Sequence, residues 1–376
     1  MDRLSFLGSS EIESIDKLYV QYQANPESVE ESWRNFFRGF DFSMKFQDGD
    51  LKGNEHLDKE FRVLNYIDEV RKRGHLFTKT NPVRTRRRHF PTLDLENFQL
   101  SVKDLDTVFH AGTEISLGNV TLREIVAAME ETYCESIGVE YMYIRAPEKI
   151  KWLQNRIEPE RNNTIFSAEE KKQIFHHLKK AVGFETFIHK RFVGQKRFSL
   201  EGTEALIPAL HYMMERGSSL GIEEYFIGMA HRGRLSVLAN IIEKPYENIF
   251  QEFVAEEYED TISLGDVKYH LGYYNEIELP NQKKITLNLA PNPSHLEASS
   301  PVTQGIARAK IDNKYKGDFT KISPILIHGD AGIAGQGIVY EVVQMSELNG
   351  YKTGGTIHIV INNQVGFTTN YLDARS

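Results

Sequence analysis

Asp330 and Asn363 are two hard oxygen donors 33 positions apart, and each directly follows a short, β-branched apolar run: "SPILIHG" before Asp330 and "TIHIVIN" before Asn363. One carboxylate and one amide oxygen suit magnesium, which takes one or two protein carboxylates and completes its octahedron with phosphate oxygens and water. The glycines at 332, 335 and 337 let the backbone come close to a ligand, and the start of the following helix offers unpaired N–H groups to an anion. Together these residues point to a diphosphate bridged by a metal. A dinucleotide fold fits less well: the glycines read G-x-x-G-x-x-G-x-G, and the second run closes on Asn-Asn where a ribose-binding acid belongs. A P-loop is excluded, because no G-K-[ST] follows the glycines. A glycine-rich turn that holds nothing is the plain alternative.

The elements around these residues must bring them together. A strand from about Pro324 to His328, a helix and a second strand form a βαβ unit, whose right-handed crossover makes the strands parallel. Where such strands are neighbours, about 4.8 Å apart, Asp330 and Asn363 emerge side by side at the carboxyl edge of the sheet, where α/β folds bind ligands. "EYFIGMA" and "KKITLNLA" are two more runs of the same kind, and "GQGIVYEVVQMSEL" is helical, so residues 196–376 read as an α/β domain with a parallel sheet buried on both faces.

Upstream the texture is helical. In residues 1–45, Ile12, Ile15, Leu18, Tyr19 and Tyr22, then Val29, Trp33, Phe36 and Phe37, mark two short amphipathic helices that form a separable arm. Residues 46–110 begin with the polar "KFQDGDLKGNEH" linker and contain a helix that Gly74 stops. Residues 111–195 read as a helical domain, with capping boxes at Thr121/Glu124 and Ser167/Glu170. His176 and His177 are adjacent, point to different sides of their helix and read as ordinary helix residues.

The 376 residues are 40% apolar and 26% charged, with a net charge of −8, which argues against a nucleic-acid or acidic-membrane binder. The basic "RTRRRHF", Arg84 to Phe90, reads as a solvated segment. The single Cys134 excludes an internal disulfide framework and fits a reducing compartment. The amino terminus lacks the apolar region of a signal peptide and no stretch reaches the length of a membrane span, so the expected location is cytoplasmic.

Gly329-Asp330 with Asn362-Asn363 resembles the thiamine-diphosphate motif. "HGDAGIAGQGIVYE" and "GTIHIVINNQVGFTTN" are most similar to the decarboxylating dehydrogenase component of 2-oxoglutarate dehydrogenase complexes, as are "RFSLEGTEALIPAL", "GMAHRGRLSVLAN", "GDVKYHLG" and "NPSHLEASSPV", in the same order. The resemblance spans essentially the whole chain, including the "NPESVEESWRNFF" arm. It implies that Asp330, Asn363 and the Val365 carbonyl bind magnesium. Arg232, Ser294, Leu296, Ala331 and Gly332 contact thiamine diphosphate, and His270, Ser294 and His295 bind substrate.

The activity implied is oxidative decarboxylation of 2-oxoglutarate in the tricarboxylic acid cycle, with the succinyl group passed to a lipoyl group. The implied partners are a lipoyl-bearing dihydrolipoyl succinyltransferase, reached through the arm, and dihydrolipoyl dehydrogenase, with a homodimer as the full-length assembly. Another thiamine-dependent 2-oxo acid decarboxylase, or a non-catalytic docking derivative, are the alternatives. Family members take a cofactor-activating glutamate from a second α/β domain across the dimer. The chain ends at Ser376 before such a domain, so the resemblance makes it the front portion of a longer enzyme, inactive alone. Two departures touch the shape of the pocket: Gly332 and Ile333 where Ala and Phe are usual, and Ser299-Ser300 where an apolar residue and an acid are common.

Overall fold

Helices form where the amphipathic patterns and capping signals predict them, and strands where the apolar runs fall. The computed structural model describes residues 9–30, 33, 34, 37, 51–81, 88–195, 197–255 and 268–364, and the chain divides into two units, Met1–Ile165 and Phe166–Ser376.

In the first unit, α1 (Ser9–Ala24) ends at Asn25, whose side chain accepts from the Glu27 N–H at 3.1 Å. Its aromatic residues share a small cluster in which Tyr22, Val29 and Phe37 are buried, with Trp33 packed against them. α2 (Leu51–Arg73) stops where Gly74 begins a 3₁₀ turn. A two-residue antiparallel pair, β1 (Val108–Phe109) with β2 (Val120–Thr121), leads into α3 (Leu122–Tyr133), and α4 (Pro147–Ile157) follows. The Thr121/Glu124 capping box is formed, with the Thr121 N–H donating to Glu124 at 2.9 Å. Arg71 holds Glu158 through two bonds of 2.7 and 2.9 Å, and the Tyr133 hydroxyl donates to the same carboxylate at 2.8 Å. Cys134 follows α3, and burial raises its thiol pKa to about 11, which leaves it unreactive. The Arg84–Arg87 part of the basic run lies outside the described residues.

The second unit is an α/β layer. Its elements are α5 (Ala168–Arg191), α6 (Leu206–Ser219), β3 (Glu224–Met229), α7 (Arg234–Asn240), α8 (Tyr246–Ala255), β4 (Tyr273–Glu278), β5 (Lys284–Leu289), α9 (Ser299–Asn313), β6 (Ile322–Gly329), α10 (Asp330–Gly335), α11 (Gly337–Met345) and β7 (Ile357–Ile361). The sheet runs β4-β5-β3-β6-β7, parallel except for β4, which pairs antiparallel with β5. All six residues of β3 are buried, as expected of a central strand covered on both faces. Ala181, Phe184 and Ile188 of α5 pack in the same core as β3 and β5, so this helix belongs with the sheet and not with the helices before it.

Two features differ from the sequence reading. β4 has only Ile277 buried and offers no apolar run, so sequence pattern gives it no signal. The glycine-rich segment after β6 is itself helical: α10 begins at Asp330, and extended Gln336 (φ −101°, ψ 118°) separates it from α11. No described helix is long and apolar enough to cross a membrane.

His177 and His211 stack between α5 and α6 with ring centroids 3.8 Å apart, beside a groove of about 480 Å³ lined by Phe166, Pro208 and Tyr212. His211 Nε2 lies 2.9 Å from the Asn240 carbonyl and donates to it. Burial, reinforced by His177, lowers the His211 pKa to about 4 from the ordinary 6.5. Above pH 6.5 the ring is neutral in both the folded and unfolded chain. Below it the unfolded chain binds a proton that the folded one refuses, so stability falls until the pH passes about 4, by about 3 kcal/mol in all. Urea midpoints at pH 7, 6 and 5 should therefore decline less steeply in His211→Gln than in wild type; equal slopes would show that His211 does not control this decline.

Candidate functional site

Four parallel strands run to the same edge of the sheet, with β6 and β7 reaching furthest. Ile227 of β3 lies opposite both Leu289 of β5 and Ile325 of β6, and Gly329 of β6 lies opposite Ile361 of β7. The segments leaving these strands carry His231 and Arg232 after β3, Ser294 to Leu296 after β5, Asp330 to Gly332 after β6, and Asn362 and Asn363 after β7. β4 runs the other way, with its first residue, Tyr273, opposite Leu289 at the end of β5, so His270 joins the same edge. The antiparallel strand that sequence pattern missed is what delivers the candidate histidine.

Asp330 is buried while Asn363 is half-buried, and Asp330 continues β6 at the level of Asn362. The Asn362 side chain accepts from the Gln364 N–H at 3.1 Å, an Asx turn that ties the first Asn to its own loop. Val365 lies outside the described residues. Ala331 is half-buried and Gly332 buried in α10. Ser294 Oγ and His270 Nε2 are 3.0 Å apart, and the His270 carbonyl accepts from the Asn292 N–H at 2.9 Å, so the two loops are tied by both backbone and side chain. His295 and Leu296 are exposed at the same edge. Arg232 donates to the Ser199 carbonyl at 3.2 Å, and His231 stacks on Phe198 with centroids 5.1 Å apart and lies 5.4 Å from the His270 ring. Gly233 between the arginines has φ +77°, and a Cβ there would meet Leu200 Cδ1 at 2.7 Å, so this turn requires glycine.

Sequence reasoning passed over the side chains packed behind this edge. Glu297 is buried at a left-handed φ of +67°. Its Oε2 lies 2.7 Å from His328 Nδ1 and accepts from Ser300 Oγ at 3.0 Å, while its Oε1 has no hydrogen-bond partner. A Cβ on Gly332 would stand 2.8 Å from that Oε1. On its other side, His328 Nε2 lies 2.9 Å from His358 Nδ1. Arg234 was also missed. Its fully buried guanidinium donates to three carbonyls, Leu271 and Ala290 at 2.7 Å each and Met229 at 3.3 Å, with no carboxylate partner among the described residues. Burial lowers its pKa to about 10, still charged at neutral pH.

The donors present fit a metal-bridged diphosphate. A buried carboxylate and an amide oxygen follow adjacent parallel strands, and Gly332, next but one to the carboxylate, is a position where a side chain would collide. Among the described residues no group of three or more His, Cys, Asp or Glu gathers to hold a metal by itself.

Residues 176–376 match the family model described as "Dehydrogenase E1 component", and residues 4–44 match that described as "2-oxoglutarate dehydrogenase N-terminus". The chain is 44% identical over 327 residues to a multifunctional 2-oxoglutarate metabolism enzyme of Mycolicibacterium vanbaalenii, an alignment covering 85% of this chain and 26% of the relative. It is 39% identical to the 2-oxoglutarate dehydrogenase E1 component of Azotobacter vinelandii, covering 96% of this chain and 41% of the relative. It is 37% identical to a mitochondrial 2-oxoglutarate dehydrogenase-like protein of Xenopus laevis, covering 99% and 40% respectively. The chain thus spans less than half the length of these relatives.

Replacing Arg234 with Met strands three carbonyls at the ends of β3 and β5 and before β4. Leaving buried polar groups unsatisfied costs about 1–3 kcal/mol each, so Arg234→Met should lower the urea midpoint by the equivalent of about 3 kcal/mol or more. A midpoint within about 0.5 kcal/mol of wild type would show that water replaces the guanidinium freely.

Proposed function

We propose, from the premise that this chain belongs to the dehydrogenase E1 component family, that it carries the edge that holds magnesium and thiamine diphosphate in a 2-oxoglutarate dehydrogenase. The observation that carries this reading is the pairing of β6 with β7, which sends Asp330 and Asn363 out from neighbouring strands at the sheet edge that also carries the His270–Ser294 pair. The Asp330 carboxylate, the Asn363 amide oxygen and the Val365 carbonyl would hold the ion. Ala331 and Gly332 would offer backbone to the diphosphate, and Arg232, Ser294 and Leu296 would line the cofactor.

The bound cofactor supplies the electron sink that lets a 2-oxo acid lose carbon dioxide. The chain's own residues bind and orient. A 2-oxo dicarboxylate presents anionic oxygens that need donors, and the Ser294 hydroxyl and His270 imidazole, coupled at 3.0 Å, can turn their hydrogens toward it, with His295 beside them. The guanidinium of Arg234 grips the Leu271 carbonyl and thereby fixes the turn that carries His270. Holding the substrate in one orientation is where such residues contribute most.

The likeness of residues 4–44 to the 2-oxoglutarate dehydrogenase N-terminus supports an arm that docks on a lipoyl-bearing dihydrolipoyl succinyltransferase. The same reading makes the complete protein a homodimer in a complex that also holds dihydrolipoyl dehydrogenase, located in the cytoplasm.

Two measurements in the complete natural protein test these roles. Asp330→Ala and Asn363→Ala should each abolish magnesium-dependent thiamine diphosphate binding in calorimetry, since each removes a ligand from a site with few protein oxygens; wild-type affinity in both would displace the metal from this edge. His270→Ala should lower kcat/KM for 2-oxoglutarate by about one to two decades, the worth of a hydrogen bond to a charged group, with cofactor affinity unchanged. An unaltered kcat/KM would make His270 structural.

A further inference from the structure

β7 pairs with β6 over Ile357–Ile361, where only Ile361 is buried and Ile357 and Val360 are exposed. Side-chain burial locks the register of a strand with one face in the core and specifies it less strongly in a strand this exposed. A slip of two residues keeps every side chain on its face, yet moves Asn363 about 6–7 Å along Asp330, too far for one ion to touch both.

Two side-chain ties oppose that slip: just before the strand, Gln304 Nε2 of α9 donates to Thr356 Oγ1 at 2.7 Å, and the second lies within the ladder. His328 of β6 is opposite Val360, and His358 of β7 is opposite Leu326, so the two imidazoles meet diagonally across the ladder. They are 2.9 Å apart at His328 Nε2 and His358 Nδ1, with ring planes within 7° of each other. His328 is buried and is anchored from behind by Glu297, whose Oε2 also accepts from Ser300 at the start of α9. The neutral arrangement that satisfies these contacts has Glu297 accepting from His328 Nδ1–H and His328 Nε2 accepting from His358 Nδ1–H. Slipping β7 by two residues breaks the outer bond and leaves a buried imidazole nitrogen without its partner.

We propose that His358, acting through His328 and Glu297, is a positioning residue that locks β7 in register with β6 and so sets Asn363 against Asp330. The role rests on the reading of Asp330 and Asn363 as magnesium ligands. It assigns a function to three side chains that touch neither metal nor substrate, and it places the anchor of the site in α9 as well as in the two strands.

The test compares His358→Phe, which keeps a flat ring without the donor, with His358→Asn, whose Nδ2 donates from the place of Nδ1, in the complete natural protein. Magnesium titrations monitored by thiamine diphosphate binding should show His358→Phe weaker by about tenfold, as is usual when a residue that orients a metal ligand is lost. His358→Asn should recover most of that loss. Melting temperatures should stay within about 2 °C of wild type, and without ligand the amides of 357–361 should exchange faster in His358→Phe alone. Unchanged magnesium dependence in His358→Phe, no recovery in His358→Asn, or a loss that merely follows a fall in melting temperature overturns the proposal. Asp330→Ala separates the two readings: if it binds as wild type does, the magnesium assignment fails, while the exchange measurement on ligand-free protein still decides whether the histidine tie holds the register.

Discussion

The parallel ladders that bring β3, β5, β6 and β7 to a common edge are the constraint from which the site follows. Ile227 faces Leu289 on one side and Ile325 on the other, and four residues further along β6 Gly329 faces Ile361 of β7. Side chains as far apart in sequence as Arg232 and Asn363 therefore leave the sheet at one edge, with no need for long loops to fetch them. β4, running the opposite way, adds His270 to the same edge because its beginning lies beside the end of β5. Each donor is placed by backbone hydrogen bonds, which gives a precision that mobile loops do not supply.

The two buried arginines show how differently a positive charge is settled in the two units. Arg71 meets the Glu158 carboxylate in a bidentate pair supported by Tyr133, so its charge is neutralised locally. Arg234 has only carbonyl dipoles, and it uses them to draw together the ends of β3 and β5 and the turn before β4. The first arrangement closes a helical core. The second draws together the loops at one edge of a sheet.

Much of this was legible in the sequence where the physics is local. Strands β3 and β6 announce themselves as apolar runs because both faces of the sheet exclude water there, β5 and β7 as β-branched runs although β7 has only Ile361 buried, and the Thr121/Glu124 and Ser167/Glu170 boxes appear where helix starts must satisfy orphan N–H groups. What stayed hidden depends on contacts distant in sequence. β4 has one buried residue and so no pattern, and the glycine-rich segment after β6, which composition reads as a turn, is a helix ended by extended Gln336. His328 and His358 look like strand interruptions until the register sets them side by side. The two departures from the usual family pattern also gain a shared explanation, since Ser300 donates to Glu297 and the missing side chain of Gly332 leaves room for the other oxygen of the same carboxylate.

The position of β3 at the middle of the sheet also has a consequence for how the chain is made. Glu224 pairs with Thr286 and with Ile322, partners that lie 62 and 98 residues further along. A ribosome adding about 5–20 residues per second leaves this strand waiting several seconds before its second neighbour exists. Until then at least one of its hydrogen-bonded edges is uncovered, which leaves the nascent strand open to non-native pairing.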